Sequence, residues 1–405
     1  MHQPRRFTSF LVVVIAFYFA SLTGGPPDAR AGKEVPVVAA LCDALEAQLG
    51  VRPAYRRVKK AKDGTITIRG LTTEVKPAEA AERKIKGTLS VENITLSGIS
   101  QKPDGLFDVT EVKLTNLIFI SDEDAETNSA LRLPEAVITH LYLKPSNGQP
   151  AAGGTILPFG AQAQNMLAKD GVFSSGGTSL EVGSIQASWQ GDADTGVGRT
   201  DFRVDDIHYP ASAIRRSDPS GVVLALIGGS DLIFDLWGSA ATTGDGGTFE
   251  AALSARSLGK FKVAGNFAAR PLGVLASAPS ASQSDAAMTS PPVNPMMISR
   301  FAIRFEDQSL TGKLLTMLAT EQAVSMEKLI ADAAAGVEFV LADVNNQTLI
   351  EQLKIAVRTY LTEPKSFTVT SELGQPTPIG RLVGGAAEGP SVFLSQFPVS
   401  VMAND

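Results

Sequence analysis

The chain has 405 residues, 44% hydrophobic and 19% charged, with a formal net charge of −6, one Cys and three His. The length suggests two or three domains, and the apolar share supports a sizeable core and excludes global disorder. The acidic balance argues against a nucleic-acid binder, a single Cys excludes a disulfide framework or Cys-rich zinc module, and so few His argue against catalysis.

Residues 1–31 read as a secretory signal peptide. Arg5 and Arg6 form its basic start, Phe10 to Leu22 its apolar run, and Ala29-Arg30-Ala31 a cleavage site. Its removal takes away Arg5, Arg6, Arg30 and Asp28, so the net charge goes from −6 to −8. An exported chain with one thiol fits the bacterial periplasm. A first helix is predicted from Val37 to Leu49, with Pro36 in its first turn and Gly50 ending it. Val38, Leu41, Cys42, Leu45 and Leu49 share one face, which makes Cys42 buried filler. A basic cluster follows: Arg52, Arg56, Arg57, Lys59, Lys60 and Lys62, with Tyr55 inside it. It is either a contact for anionic lipid headgroups or an envelope polymer, or a solvated connection.

Between residues 89 and 209 the pattern apolar-x-apolar-x-x-apolar-x-apolar occurs five times, beginning at Leu89, Phe107, Ala136, Leu180 and Phe202; a copy near Ile66 matches less well. Strict alternation would keep one face apolar. Here the phase slips by one at Glu92-Asn93, Thr110-Glu111, Thr139-His140, Gly183-Ser184 and Asp205-Asp206. One extra residue at each slip, a β-bulge, would return both apolar pairs to one side and bend the strand. The predicted product is a curved antiparallel sheet of bulged amphipathic strands. Its apolar face would carry Val91, Ile94, Leu96, Val109, Val112, Leu114, Ile138, Leu141, Leu143, Val204 and Ile207. Turn signals fall at Pro103-Asp104-Gly105, Asn147-Gly148 and Asp218-Pro219-Ser220-Gly221, and Asp122, Glu123, Asp124 and Glu126 form an acidic loop.

Val222 to Trp237 and Phe249 to Ala268 read as further strands, and residues 271–297 as an Ala/Ser/Pro-rich linker. Phe301, Ile303 and Phe305 alternate as one strand, and three amphipathic helices follow. The first carries Leu310, Leu314, Leu315 and Leu318, and the second Met326, Leu329, Ile330, Ala333, Val337 and Val340. The third, from Leu349 to Leu361, is opened by a Thr348/Glu351 capping box and ended by Pro364. Phe367 and Val369 start another strand, and Val399 and Val401 a last one. The fold class is therefore α+β and β-rich. The expected domains are 32–270, with the first helix and the sheet, and 298–405, mixed α/β.

Catalytic motifs are missing. Ser325-Met-Glu-Lys328 matches Ser-x-x-Lys without its companion motifs and reads as a helix start. Asp192, Asp194 and Asp201 hint at a calcium loop, but Val197 and Arg203 stand where the EF-hand pattern needs Gly and Glu. Asp205, Asp206 and His208 are the nearest approach to an acid-base group, and a salt bridge on the polar sheet face accounts for them better. No catalytic residue, cofactor or metal is expected.

The octets, the leader and the missing motifs together resemble the exported AsmA-like and related bacterial envelope proteins, in pattern and over roughly residues 64–210. That resemblance implies bent amphipathic sheets and the handling of lipids. Residues 364–378, PKSFTVTSELGQPTP, are similar to segments of uncharacterised exported alphaproteobacterial proteins, which implies no activity. The expected function is a periplasmic, non-enzymatic protein holding lipid or another apolar ligand on its curved sheet. A structural or interaction protein of the envelope is the alternative, and a hydrolase with an unrecognised site the third reading. The oligomeric state is left open.

Overall fold

A computed structural model describes residues 35–75, 86–103, 105–121, 129–143, 162–192, 197–244, 246–268, 297–342, 344 and 346–405. The leader, the acidic loop, Asp104, Asn147-Gly148, Asp194 and most of the 271–297 segment lie outside them. The protein is α+β and β-rich, with a curved antiparallel sheet and helices concentrated toward the carboxy terminus. Contacts divide the chain into two compact units, one ending at Ala213 and one running from Ile214 to Asp405. This division lies upstream of residue 270 because Gly259–Ala268 pairs along its whole length with Met297–Asp307, which ties those strands to the second unit.

The first unit opens with α1 (Pro36–Leu49), which has Pro at its first turn and Gly50 closing it at φ 73° through a bond to the Glu46 carbonyl. Val37, Val38, Leu41, Cys42 and Leu45 are its buried stripe. Eight strands follow and lie in chain order: β1 (Arg57–Lys60), β2 (Ile66–Val75), β3 (Gly87–Gln101), β4 (Phe107–Ser121), β5 (Ser129–Leu143), β6 (Gln162–Ser175), β7 (Thr178–Asp192) and β8 (Val197–Tyr209). Helix α1 packs against β2 and β5.

The expected phase slips are present, and their pairing shows how they work. Between the register pairs Val182↔Ile207 and Ser184↔Asp205, Gly183 lies opposite Asp206. By the same reasoning one transverse row crosses seven strands: Gly70, Glu92, Asn116, Pro134, Asp170, Gly183 and Asp206. On alternate strands the row residue is left-handed: Gly70 at φ 63°, Asn116 at 51°, Asp170 at 53° and Asp206 at 55°. A second row runs Gly98, Thr110, His140 and Gln164, with Gly98 at φ 63° and His140 at 51°. Each strand carries its own extra residue, and these residues face one another across the row, so the pairing register continues unshifted. Both apolar segments return to the same side, and the sheet creases along a line instead of kinking strand by strand. Pro134 is tolerated in a central strand because the ladder is already interrupted at the crease.

The second unit has six strands in chain order: β9 (Leu232–Thr243), β10 (Gly246–Ala255), β11 (Gly259–Ala268), β12 (Met297–Asp307), β13 (Ser366–Pro378) and β14 (Ser400–Ala403). Before them, α2 (Ala211–Ser217) and α3 (Val222–Leu226) flank the Asp218–Gly221 turn. That turn therefore joins helices, and the strand expected from Val222 begins only at Leu232. The Asp218 carboxylate accepts from the Val223 N–H at 2.8 Å, which satisfies an amide that an incipient helix leaves open. The three expected helices are α4 (Leu310–Gln322), α5 (Met326–Val340) and α6 (Gln347–Thr362). Ser325 caps α5 by accepting from Lys328 N–H at 3.2 Å, and the Lys328 ammonium pairs with Asp332, so Ser-x-x-Lys is a helix start. The third helix starts earlier than the capping box allows. Asn346 is its N-cap, accepting from Leu349 N–H at 3.1 Å, while Thr348 lies inside the helix. Two helices not expected from the sequence, α7 (Ile379–Glu388) and α8 (Pro390–Gln396), precede β14. Phe393 of α8 meets Phe301 at 6.0 Å, and Tyr360 of α6 meets Phe367 at 5.6 Å, both edge-to-face.

Candidate functional site

The apolar face of the first unit is its core. Of the eleven residues expected there, ten are buried and Leu114 is half-buried; Leu96, Val109 and Leu143 have no exposed surface. Their neighbours are the same face of adjacent strands and the buried stripe of α1.

The basic cluster is divided among three jobs. Arg52 pairs with Asp43 and with Glu46 at 3.2 Å, tying the end of α1 to the chain after it. The Arg56 side chain lies over Gly70, within 2.8 Å of where a Cβ would stand, so the first crease begins under a guanidinium. Arg57, Lys59 and Lys60 are exposed on β1, the outermost strand, and Lys62 is exposed in the following turn.

The Asp205, Asp206 and His208 group lies on β8. Asp205 accepts from Arg203 Nε at 2.6 Å and from the Ser184 hydroxyl at 3.3 Å. Asp206 takes the left-handed crease position against Gly183, and His208 lies opposite Glu181. Asp201 is held by Arg199 through its Nε and Nη2.

A polar contact not foreseen from sequence lies on the second crease. His140 Nδ1 is 3.7 Å from Asp108 Oδ1, and among the described residues neither atom has a hydrogen-bond partner or exposed surface. Beside them, Lys102 Nζ stands 5.0 Å over the Tyr142 ring, and Gln164 donates to the Tyr142 hydroxyl at 3.4 Å. Burial, and then the Asp108 carboxylate, push the Tyr142 phenol up.

The second unit carries a different kind of face. Register aligns Leu236, Leu253, Phe261, Phe305 and Phe367 in one row across β9–β13, and Gly238, Ala251, Val263, Ile303 and Val369 in the next. On β9–β11 this face is open: Phe234, Leu236, Phe249, Leu253, Val263 and Phe267 are half-buried, and Phe261 is 44% exposed. Its rings lie down on the sheet. Phe249 covers Gly265 and Phe267 covers Gly247 on the neighbouring strand, with ring atoms 2.7 Å and 2.5 Å from where a Cβ would be; Phe305 covers Gly259 in the same way at 2.7 Å. Aromatic rings seated over cross-strand glycines protect the sheet at those glycines and leave the surface flat and apolar. The sequence signal was the regular Gly and Phe spacing in 246–267, which reads only as strands until register pairs the two residue types.

A family model described only as an uncharacterized protein matches residues 252–404, from β10 to β14. No curated protein matches the chain. Among the described residues no group of three or more His, Cys, Asp or Glu is placed to hold a metal ion, and no helix is long and apolar enough to cross a membrane.

Proposed function

We propose that this is an exported, non-enzymatic protein of the bacterial envelope that holds an apolar ligand, such as a lipid chain, on a sheet face. The open face of β9–β11 carries the reading: seven apolar side chains from Phe234 to Phe267 lie half-buried or exposed on one side of three paired strands. The corresponding face of the first unit is filled by its own side chains, so its residues from Val91 to Ile207 act as core. A contiguous, partly exposed apolar face of this kind gains by being covered. The remote resemblance to AsmA-like proteins is in keeping with a lipid as the occupant.

The test is organic extraction of the purified protein followed by mass spectrometry, with binding of an apolar dye in parallel. Lipid is expected in the extract, and Phe261→Glu, at an exposed position, should lower lipid content and dye binding by about fivefold or more, since a charge on an apolar face must be desolvated. A lipid-free preparation that binds no dye, or a Phe261→Glu variant that binds as well as the wild type, contradicts the proposal.

A further inference from the structure

We infer that α4 is a self-association helix, docking antiparallel against α4 of a second copy of this chain about a two-fold axis at Met317. The observation is a surface groove of about 900 Å³ between α3 and α4, lined by Val222, Ala225 and Leu226 on one side and by Gly312, Thr316 and Met317 on the other. Only two charged residues line it, Lys313 and Glu321. Among the described residues neither has an ion-pair partner, whereas Lys262, Arg304, Lys328 and Lys354 in the same unit all pair with carboxylates. Lys313 Nζ donates to the Leu226 carbonyl at 2.8 Å, which holds the ammonium over the groove and leaves two of its protons for another acceptor.

Helix geometry identifies the occupant. Lys313 and Glu321 are eight residues apart, about 12 Å along the axis and about 80° around it, and Met317 lies midway in both senses. Two copies of α4 placed antiparallel about Met317 therefore bring Lys313 against the partner's Glu321 and Glu321 against the partner's Lys313. A two-fold contact requires this kind of self-complementarity. Gly312 leaves room for a close approach, since a Cβ there would meet nothing within 4 Å. Val222, 37% exposed on α3 and part of the groove lining, would be covered by the arriving helix. The contact is confined to one helix and a short neighbour, so it belongs to the small, weak class of interfaces, and steering by charge is a large part of its specificity.

Sedimentation of the purified protein at concentrations up to about 100 µM reads the dimer directly. Glu321→Lys changes an exposed residue and sets like charges against each other twice; it should raise the dissociation constant at least about tenfold. The double exchange Lys313→Glu with Glu321→Lys should restore association. As an independent readout, Met317→Cys should give a disulfide-linked dimer under mild oxidation, Cys42 being buried. A wild-type chain that stays monomeric throughout overturns the inference, as does a dimer indifferent to Glu321→Lys. Failure of both the double exchange and the Met317→Cys cross-link overturns it equally. None of these outcomes depends on bound lipid, so they are distinguishable from failure of the proposed function.

Discussion

Left-handed backbone is costly for residues with a Cβ, by roughly 1 kcal/mol or more, and least so for Asn, Asp and His. Those types occupy the non-glycine left-handed positions of the creases: Asn116, His140, Asp170 and Asp206. Asp206, which the sequence offered as part of an acid-base group with Asp205 and His208, thus stands at a position that backbone geometry accounts for, and so does His140. Asn116 adds a hydrogen bond to the Glu92 carboxylate, directly across its crease. Gly98 shows the converse constraint. Its φ is 63°, and a Cβ there would stand 2.5 Å from Thr110 Oγ1, whose hydroxyl donates to the Gly98 carbonyl at 3.1 Å. Gly98→Ala should therefore cost about 2 kcal/mol, strain and collision together. Asp170→Gly, at an exposed crease position, should be neutral within about 0.5 kcal/mol. Urea denaturation of both variants checks this, and equal effects would count against the crease as a backbone device.

At the scale of elements, β14 is only four residues long, and Asn404 and Asp405 beyond it add bonds to the neighbouring strands. Asp405 accepts from Arg304 Nη1 at 2.7 Å and from Thr368 Oγ1 at 2.9 Å, and Ser366 donates to it at 3.1 Å. Burial opposes charge on Asp405, but the bonds from Thr368, its own backbone and Ser366, with Arg304 nearby, outweigh it and hold the carboxyl below its usual range. Glu306 is lowered first by the Lys262 hydrogen bond; burial opposes this, and Arg304 adds to the lowering. A carboxyl with a lowered folded pKa stabilises the fold above its unfolded value, and that contribution disappears as pH falls through the folded one. The second unit should thus keep its stability down to about pH 4 and lose it progressively below. Arg304→Ala should cost about 1.5 kcal/mol at neutral pH, these groups being partly exposed, and should blunt the acid sensitivity. Calorimetric scans from neutral to acid pH test it; an undiminished acid loss in the variant would exclude Arg304 from the linkage. Elements with large apolar side chains were legible from sequence, and α1, α4, α5 and α6 stand where periodicity placed them. Strand β6 was not, because its buried side includes Ala163, Ala168 and Gly171, too small to mark alternation. Nor was α3, because an apolar run as short as Val222–Leu226 has no period to tell helix from strand.

At the scale of the whole molecule, amphipathic patterning told which side of each strand is apolar but not what fills the space over it. Octets such as LSVENITL have the same apolar spacing whether a ligand, a helix or another strand lies above them, so packing alone makes the first unit's face a core. The open face of the second unit escaped notice for the opposite reason: its glycines suggested turns, and only register reveals them as seats for Phe rings. Open sheets also expose their outer strands, and each unit guards its own. The last strand, β14, is short, and the part of β13 beyond its pairing with β14 carries Pro376 and Pro378, which cannot donate to an incoming strand. In the first unit, β1 has four residues and exposes Arg57, Lys59 and Lys60. Charged side chains on a short edge strand oppose pairing with another chain, which gives Arg57, Lys59 and Lys60 a role at the sheet edge. Replacing Lys59 and Lys60 together by Thr should leave the melting temperature within about 2 °C, as both are exposed, yet promote association through β1. Light scattering during storage at neutral pH should show growing assemblies in the double variant and none in the parent. If the variant stays monodisperse but loses affinity for anionic vesicles that the parent binds, the lysines serve a surface contact instead of edge protection.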